Sequence, residues 1–250
     1  MKADHRPRLA NGRMLGLLFL LVALLWIFPS AVLAYNQNRV ATDANGQPLR
    51  ISGTVAIIEP DIQLSEILAG GVQEPRMQWS LAARRLYPAA VRATLSAAGT
   101  RQLPDYDIPD DLPADSRLGQ ILRLNESVSV SVIAYKSPGN QLATKRGKRL
   151  DWTLGPGVQE LRTATGADYA LFTYVRDSYT SGGRKALRVA ALLLLGGDIG
   201  GGRQLGVTTL VDLRTGQVVW FNFLSNQTGD LRDAKGASDT AQRMLKGLPL

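Results

Sequence analysis

Apolar and polar positions change their period several times along the chain, and each change marks an element. Ile51, Gly53, Val55 and Ile57 alternate with Ser52, Thr54 and Ala56, and the β-rich run Val55-Ala56-Ile57-Ile58 stops at Glu59-Pro60. That is the pattern of a strand covered on both faces at its end. Residues 61 to 75 carry Gly70-Gly71 and Pro75 and read as a long connection. From Met77 the period shifts. Trp79, Ala82, Ala83, Leu86, Tyr87, Ala90, Val91, Leu95 and Ala98 recur at threes and fours, with Arg84, Arg85 and Arg92 between them. This predicts an amphipathic helix stopped by Gly99 and kinked or divided at Pro88.

Leu103 to Pro113 holds three prolines and four aspartates, so a loop is expected. Two periods compete over Leu118 to Tyr135. Leu118, Ile121, Leu122, Leu124, Val128 and Val132 fit a helix, whereas Val128, Val130 and Val132 between serines fit a strand. A helix passing into extended chain near Val130 is the expectation. Leu154 to Thr165 reads as a helix ended by Gly166, and Tyr169 to Val175 as a strand. Ala186 to Leu195 is apolar except for Arg188, too short to span a membrane as a helix, and expected in the buried core. Leu205 to Val211 and Gln217 to Phe223 flank Asp212-Leu213-Arg214-Thr215-Gly216. That predicts a β-hairpin, with Gly216 supplying a positive φ and Asp212 bonding turn amides. Asp239 to Lys246 closes the chain as a short helix. The order predicts an α/β fold: one sandwich domain over residues 51–250 with a mixed sheet and a C-terminal β-hairpin plus helix.

The first 34 residues belong to a different regime. Lys2, Arg6, Arg8 and Arg13 precede an apolar stretch from Met14 to Phe28, then Pro29-Ser30 and the small-residue pattern ending at Ala34. This is the layout of a signal peptide. Met14 to Leu33 also has the length of an uncleaved membrane anchor. Residues 35–50 are polar and read as a linker. The chain is therefore expected to be exported to the bacterial periplasm, or to face it from the inner membrane, with membrane contact through residues 14–33. Loss of residues 1–34 would lower the net charge from +8 to +5.

Composition narrows the chemistry. At 250 residues and 45% hydrophobic, the chain has material for one globular core, which argues against a disordered or collagenous protein. It has no Cys, and its one His lies in the export segment, as His5. Cysteine nucleophiles, disulfides, Cys/His zinc sites and histidine-based triads are thereby excluded from the exported chain. The basic cluster Lys145, Arg146, Lys148 and Arg149 has only Trp152 as a nearby aromatic, so nucleic-acid binding is not expected; these residues are candidates for partner contact, with a solvated surface loop as the plainer reading. The aspartates of 105–111 lack the D-x-D-x-D-G calcium pattern, and Gly196 to Gly202 lacks both phosphate-binding fingerprints, so neither metal nor cofactor is expected.

Arg176-Asp177-Ser178-Tyr179 with Arg184 and Lys185 forms a polar cluster at a strand end. Arg176, Asp177, Tyr179 and Arg184 are candidates for partner binding. A Ser178–Lys185 dyad, or Glu59 with Asp61 as a carboxylate pair, would serve a hydrolase. No complete catalytic set is evident.

Certain strings carry a family likeness. They are Glu59-Pro60-Asp61-Ile62, Ala69-Gly70-Gly71-Val72, Ala167-Asp168-Tyr169-Ala170-Leu171-Phe172, Leu210-Val211-Asp212-Leu213-Arg214-Thr215-Gly216 and Val218-Val219-Trp220-Phe221-Asn222. Together they resemble uncharacterised exported proteins of Proteobacteria. The element order is more distantly similar to the α/β modules of envelope lipoproteins, such as the curli secretion protein and the activators of penicillin-binding proteins. That resemblance implies a module that binds an envelope protein or assembles into an oligomer. The lipid-anchoring Cys of those proteins is missing here.

Overall fold

The computed structural model describes residues 35–113, 115–135, 149–195, 200–226 and 229–250. Residues 1–34, expected to be an export segment, the basic residues Lys145, Arg146 and Lys148, and residues 196–199 of the glycine run lie outside them. Within the unit Ala34–Leu250 the chain runs through β1 (Tyr35–Val40), β2 (Val55–Ile57), β3 (Asp61–Ile67) and β4 (Gln73–Pro75). It continues as α1 (Met77–Ala97), α2 (Arg117–Ala134), a 3-10 turn (Pro156–Val158) and α3 (Gln159–Thr165). Then come β5 (Tyr169–Thr180), α4 (Gly182–Leu195), β6 (Gln204–Asp212), β7 (Val218–Asn226) and α5 (Ala234–Met244). This is the expected mixed α/β sandwich, with a strand pair and a helix at its end.

The seven strands form one sheet, six of them in the order β1-β7-β6-β5-β3-β4 and β2 pairing with β5 off that path. β5 is the central member. Its first residues pair in parallel with β2, its later ones in parallel with β3, and its other edge lies antiparallel to β6. Alternation along β5 builds two cores. Tyr169, Leu171 and Val175 join a cluster roofed by Ala83, Tyr87, Val91 and Leu95 of α1 and by Ala237, Ala241 and Met244 of α5. Ala170 and Phe172 face the other way, against Leu118, Ile121, Val128 and Val132 of α2 and Val158 and Leu161 beside α3. Each such leucine or valine contributes about 1.5–3 kcal/mol by leaving water.

Local signals explain the ends. α1 closes in a Schellman arrangement, with Thr100 N–H bonded to Leu95 O at 3.0 Å, Gly99 N–H to Ser96 O at 2.9 Å and Gly99 at φ 75°. Ser116 Oγ accepts from Gly119 N–H at 3.1 Å and starts α2; Asp233 does the same for α5 from Gly236 N–H at 2.8 Å. The β6–β7 turn follows the expected chemistry, with Asp212 Oδ1 accepting Arg214 N–H at 2.8 Å and Gly216 at φ 78°.

Six expectations are corrected. Residues 61–75 are not a connection but the hairpin β3–β4, because Ile62 and Leu64 bury while Gln63 faces out, a short period-two run masked by the nearby glycines and proline. Residues 35–50 begin as strand β1, whose backbone pairs with β7. α1 continues through Pro88 as one element, and α2 stays helical past Val130 because Val128 and Val132 bury on one side. The last helix begins five residues earlier than expected, at Ala234. The largest correction concerns α4: Leu193 and Leu194 are 77% and 81% exposed rather than buried.

Candidate functional site

The sheet is interrupted at Glu59-Pro60. β2 and β3 both pair with β5, and Pro60, having no N–H, marks the break between them. The free edge at this break is taken up by the aspartate-rich loop. Glu59 N–H bonds Tyr106 O at 2.9 Å, and Glu59 Oε2 accepts Ile108 N–H at 2.9 Å. The loop is thereby held opposite α1.

Between them lies an open groove of about 730 Å³. Leu81, Pro88 and Ile108 form part of its apolar lining. Arg84, Arg85 and Arg92 come from the helical wall, and Asp105, Asp107 and Asp110 from the loop wall. Arg92 pairs with Asp105 across it. A second cavity of about 220 Å³ adjoins the break and shares Glu59 and Ile108, adding Asp61, Leu122, Glu126 and Tyr174. The Tyr174 hydroxyl donates to Leu122 O at 2.9 Å and accepts from Asn125 Nδ2 at 3.3 Å, and burial pushes its pKa up to about 12. It stands as a fixed, neutral part of the wall.

On the opposite face of β5, Asp177 is 2% exposed. Its Oδ2 accepts from Tyr179 Oη at 2.6 Å and from Gln204 Nε2 at 2.8 Å. Burial raises its pKa to about 6, against the lowering effect of those bonds. The same desolvation, with the Asp177 charge beside it, drives the Tyr179 hydroxyl far above its ordinary value. Tyr179 also accepts Leu231 N–H at 2.8 Å. The Arg232 guanidinium lies 4.0 Å from the Tyr179 ring centroid and 5.1 Å from that of Trp79. Trp79 meets Tyr179 edge-on, with centroids 5.8 Å apart. The cluster ties β5 to α1 and to the Leu231 segment.

No family model and no curated protein matches the chain. Among solved structures, the PelC dodecamer from Paraburkholderia phytofirmans overlaps 87% of this chain and 98% of its own at 12% identity, with a TM-score of 0.40. A variant PelC dodecamer from the same organism gives 14% identity, 87% and 99% coverage and a TM-score of 0.39. Overlap this loose leaves function to the residues themselves.

The residues singled out from sequence are divided by the sheet. Arg176 projects from one face and forms a two-pronged pair with Asp61, Nη1–Oδ1 3.0 Å and Nη2–Oδ2 2.6 Å. Exposed as both partners are, this pair contributes at most about 1 kcal/mol. Asp177 and Tyr179 project from the other face. Arg184 reaches Ala69 O at 3.4 Å, and Arg149 is exposed. Ser178 and Lys185 line one cavity of about 190 Å³, but Ser178 Oγ is committed to Arg203, donating to its O at 3.2 Å and accepting its N–H at 3.0 Å. Among the described residues Lys185 makes no hydrogen bond to Ser178. Glu59 and Asp61 likewise hold separate partners. Gly202 is required by packing, since a Cβ there would lie 2.1 Å from Ser178 O. Among the described residues no cluster of three acidic, His or Cys side chains is placed to hold a metal. The arginine–aspartate groove was missed in sequence, although its signal was present as two charge-segregated runs, 84–92 and 105–110.

Proposed function

We propose that this chain is a non-enzymatic exported protein of the bacterial envelope that binds an extended segment of another envelope protein in the groove at Glu59-Pro60. The observation that carries the reading is the groove itself, with apolar patches between a basic and an acidic wall. Such a surface suits a polypeptide with side chains of both signs, because apolar contact supplies affinity and the opposed charges select register. Ser178, Glu59 and Asp61, which catalysis would recruit, are instead engaged by Arg203, by Ile108 N–H and by Arg176. A hydrolase using Ser178 with Lys185 is the second reading, favoured only by their shared cavity; it requires Ser178 to leave both bonds to Arg203.

A photo-crosslinking amino acid at Leu81, on the groove, is expected to capture a discrete envelope protein, and one at Lys235 is not. Arg85→Glu should abolish the Leu81 adduct while leaving the fold intact by circular dichroism. Absence of any Leu81 adduct, or hydrolysis of wall or lipid substrates that is lost in Ser178→Ala, would overturn the proposal.

A further inference from the structure

The groove at Glu59-Pro60 has a side pocket. The cavity of about 220 Å³ adjoining the break shares Glu59 and Ile108 with the groove, so a chain lying in the groove passes its mouth. That volume is below the roughly 300–1,000 Å³ of sites that hold whole small molecules, and it has room for one long side chain. The lining is of two kinds. Leu122, Ile108 and Phe172 are apolar, whereas Glu59, Asp61 and Glu126 bring carboxylates, and the aromatic ring of Tyr174 stands with them.

Pairing decides the sign of this pocket. Asp61 is held by Arg176, which takes its charge out of the count. Glu59 accepts from Ile108 N–H, a neutral donor, and so keeps its charge. Glu126 makes no hydrogen bond or ion pair among the described residues. The cation among the described lining residues is Arg123, and it is exposed. Two carboxylates against one guanidinium leave the pocket net negative. Their field reaches the wall: burial is the main cause that pushes the Tyr174 hydroxyl up to about 12, and the charges of Glu126 and Asp61 add to the rise. A side chain with an aliphatic stem and a cationic head matches such a lining, since the stem covers apolar surface and the head meets carboxylates and an aromatic ring. Arginine fits better than lysine, because its planar fork can engage two carboxylates at once. We infer that the segment bound in the groove is anchored by a basic side chain, arginine before lysine, inserted in this pocket with its stem on Leu122 and Ile108 and its charge at Glu59 and Glu126. The inference rests on the groove reading proposed above and adds to it which residue of the partner sets the register.

Displayed random peptides, selected on the full chain and kept where they block the Leu81 crosslink, are the probe. The expected result is a set of peptides with Arg, or less often Lys, at one fixed position. Glu126→Lys should redirect the selection to Asp or Glu at that position. Glu126→Gln should weaken a selected peptide about tenfold, the effect of one charged hydrogen bond. The same peptide with its Arg replaced by Gln should bind wild type and Glu126→Gln equally, which ties the loss to this one pair. Glu126 is exposed, so both variants should keep the fold, and circular dichroism checks it. Peptides that block the crosslink yet share no basic position would overturn the anchor and leave the groove reading standing. A fixed basic position that answers to Asp107→Lys and not to Glu126→Lys would put the cation on the loop wall of the groove, and would also overturn the anchor. Failure to enrich any peptide that blocks the crosslink would overturn the groove reading itself, and the anchor with it.

Discussion

α1 and α4 are both amphipathic helices attached to the same sheet, yet they orient their apolar faces oppositely. In α1, Ala83, Tyr87, Val91 and Leu95 fall one above another and are at most 1% exposed, while Arg85 and Arg92 stay outside. In α4 the leucines are outside, and the arginines brace the helix against Gly71 and Gly201. The difference teaches that a helical period establishes only that two faces differ in chemistry. Which face turns inward depends on what surface the rest of the fold offers. α1 meets the broad apolar side of β3, β5 and β6. α4 meets the β3–β4 turn and the glycine segment, where backbone carbonyls and small residues suit guanidinium groups better than leucine.

Truncation gives the sharpest contrast. Leu95→Ala in α1 is expected to lower unfolding stability by about 3–5 kcal/mol, since the lost contacts leave a cavity in a closed core. Urea denaturation would check it, and a change of less than 1 kcal/mol would mean that α1 is not the roof described here. Next in size is the buried carboxylate under Trp79 of α1. The Asp177 carboxyl titrates at about 6 in the folded chain against an ordinary 3.8, so the folded state holds the extra proton. Stability therefore falls as pH rises through that window and stays lower above it. Asp177→Asn should abolish the fall and raise stability at pH 7 by about 3 kcal/mol. Equal pH profiles for wild type and variant would show that the carboxyl is not held in its neutral form. The smallest effect belongs to α4, where Leu193→Ala in solution should alter stability by no more than about 0.5 kcal/mol. A loss on the scale of Leu95→Ala would place Leu193 in a core and erase the contrast between the helices.

Legibility followed the same division. The hairpin around Asp212 and Gly216, the strand into Phe172, the stop at Gly166 and the helix from Met77 were readable because each rests on local chemistry, a turn residue or a long period. β3 was hidden because its buried residues, Ile62 and Leu64, span too few positions to announce a period beside Gly70-Gly71. Of the candidate residues, Arg176 and Asp177 are sequence neighbours that the pleat sends to opposite faces, so the cluster suggested by adjacency is divided by the sheet. Arg232, which caps Tyr179 from more than 50 residues away, carried no local signal at all. The groove depends on Glu59 gripping Ile108 N–H across 49 positions, a pairing that only tertiary folding creates. α4 was misread because an apolar run sets the composition of a helix and not which side of it meets the rest of the protein.

The short strand at one margin of the sheet has a consequence for assembly. β4 is three residues long, carries Glu74 and ends at Pro75. A strand arriving from a neighbouring molecule would find little backbone to copy there, a carboxylate in its path and a position without an N–H. That margin acts as a terminator against fibrous stacking. Where copies of the chain are concentrated, the blunt margin keeps such crowding from nucleating cross-β growth along that side.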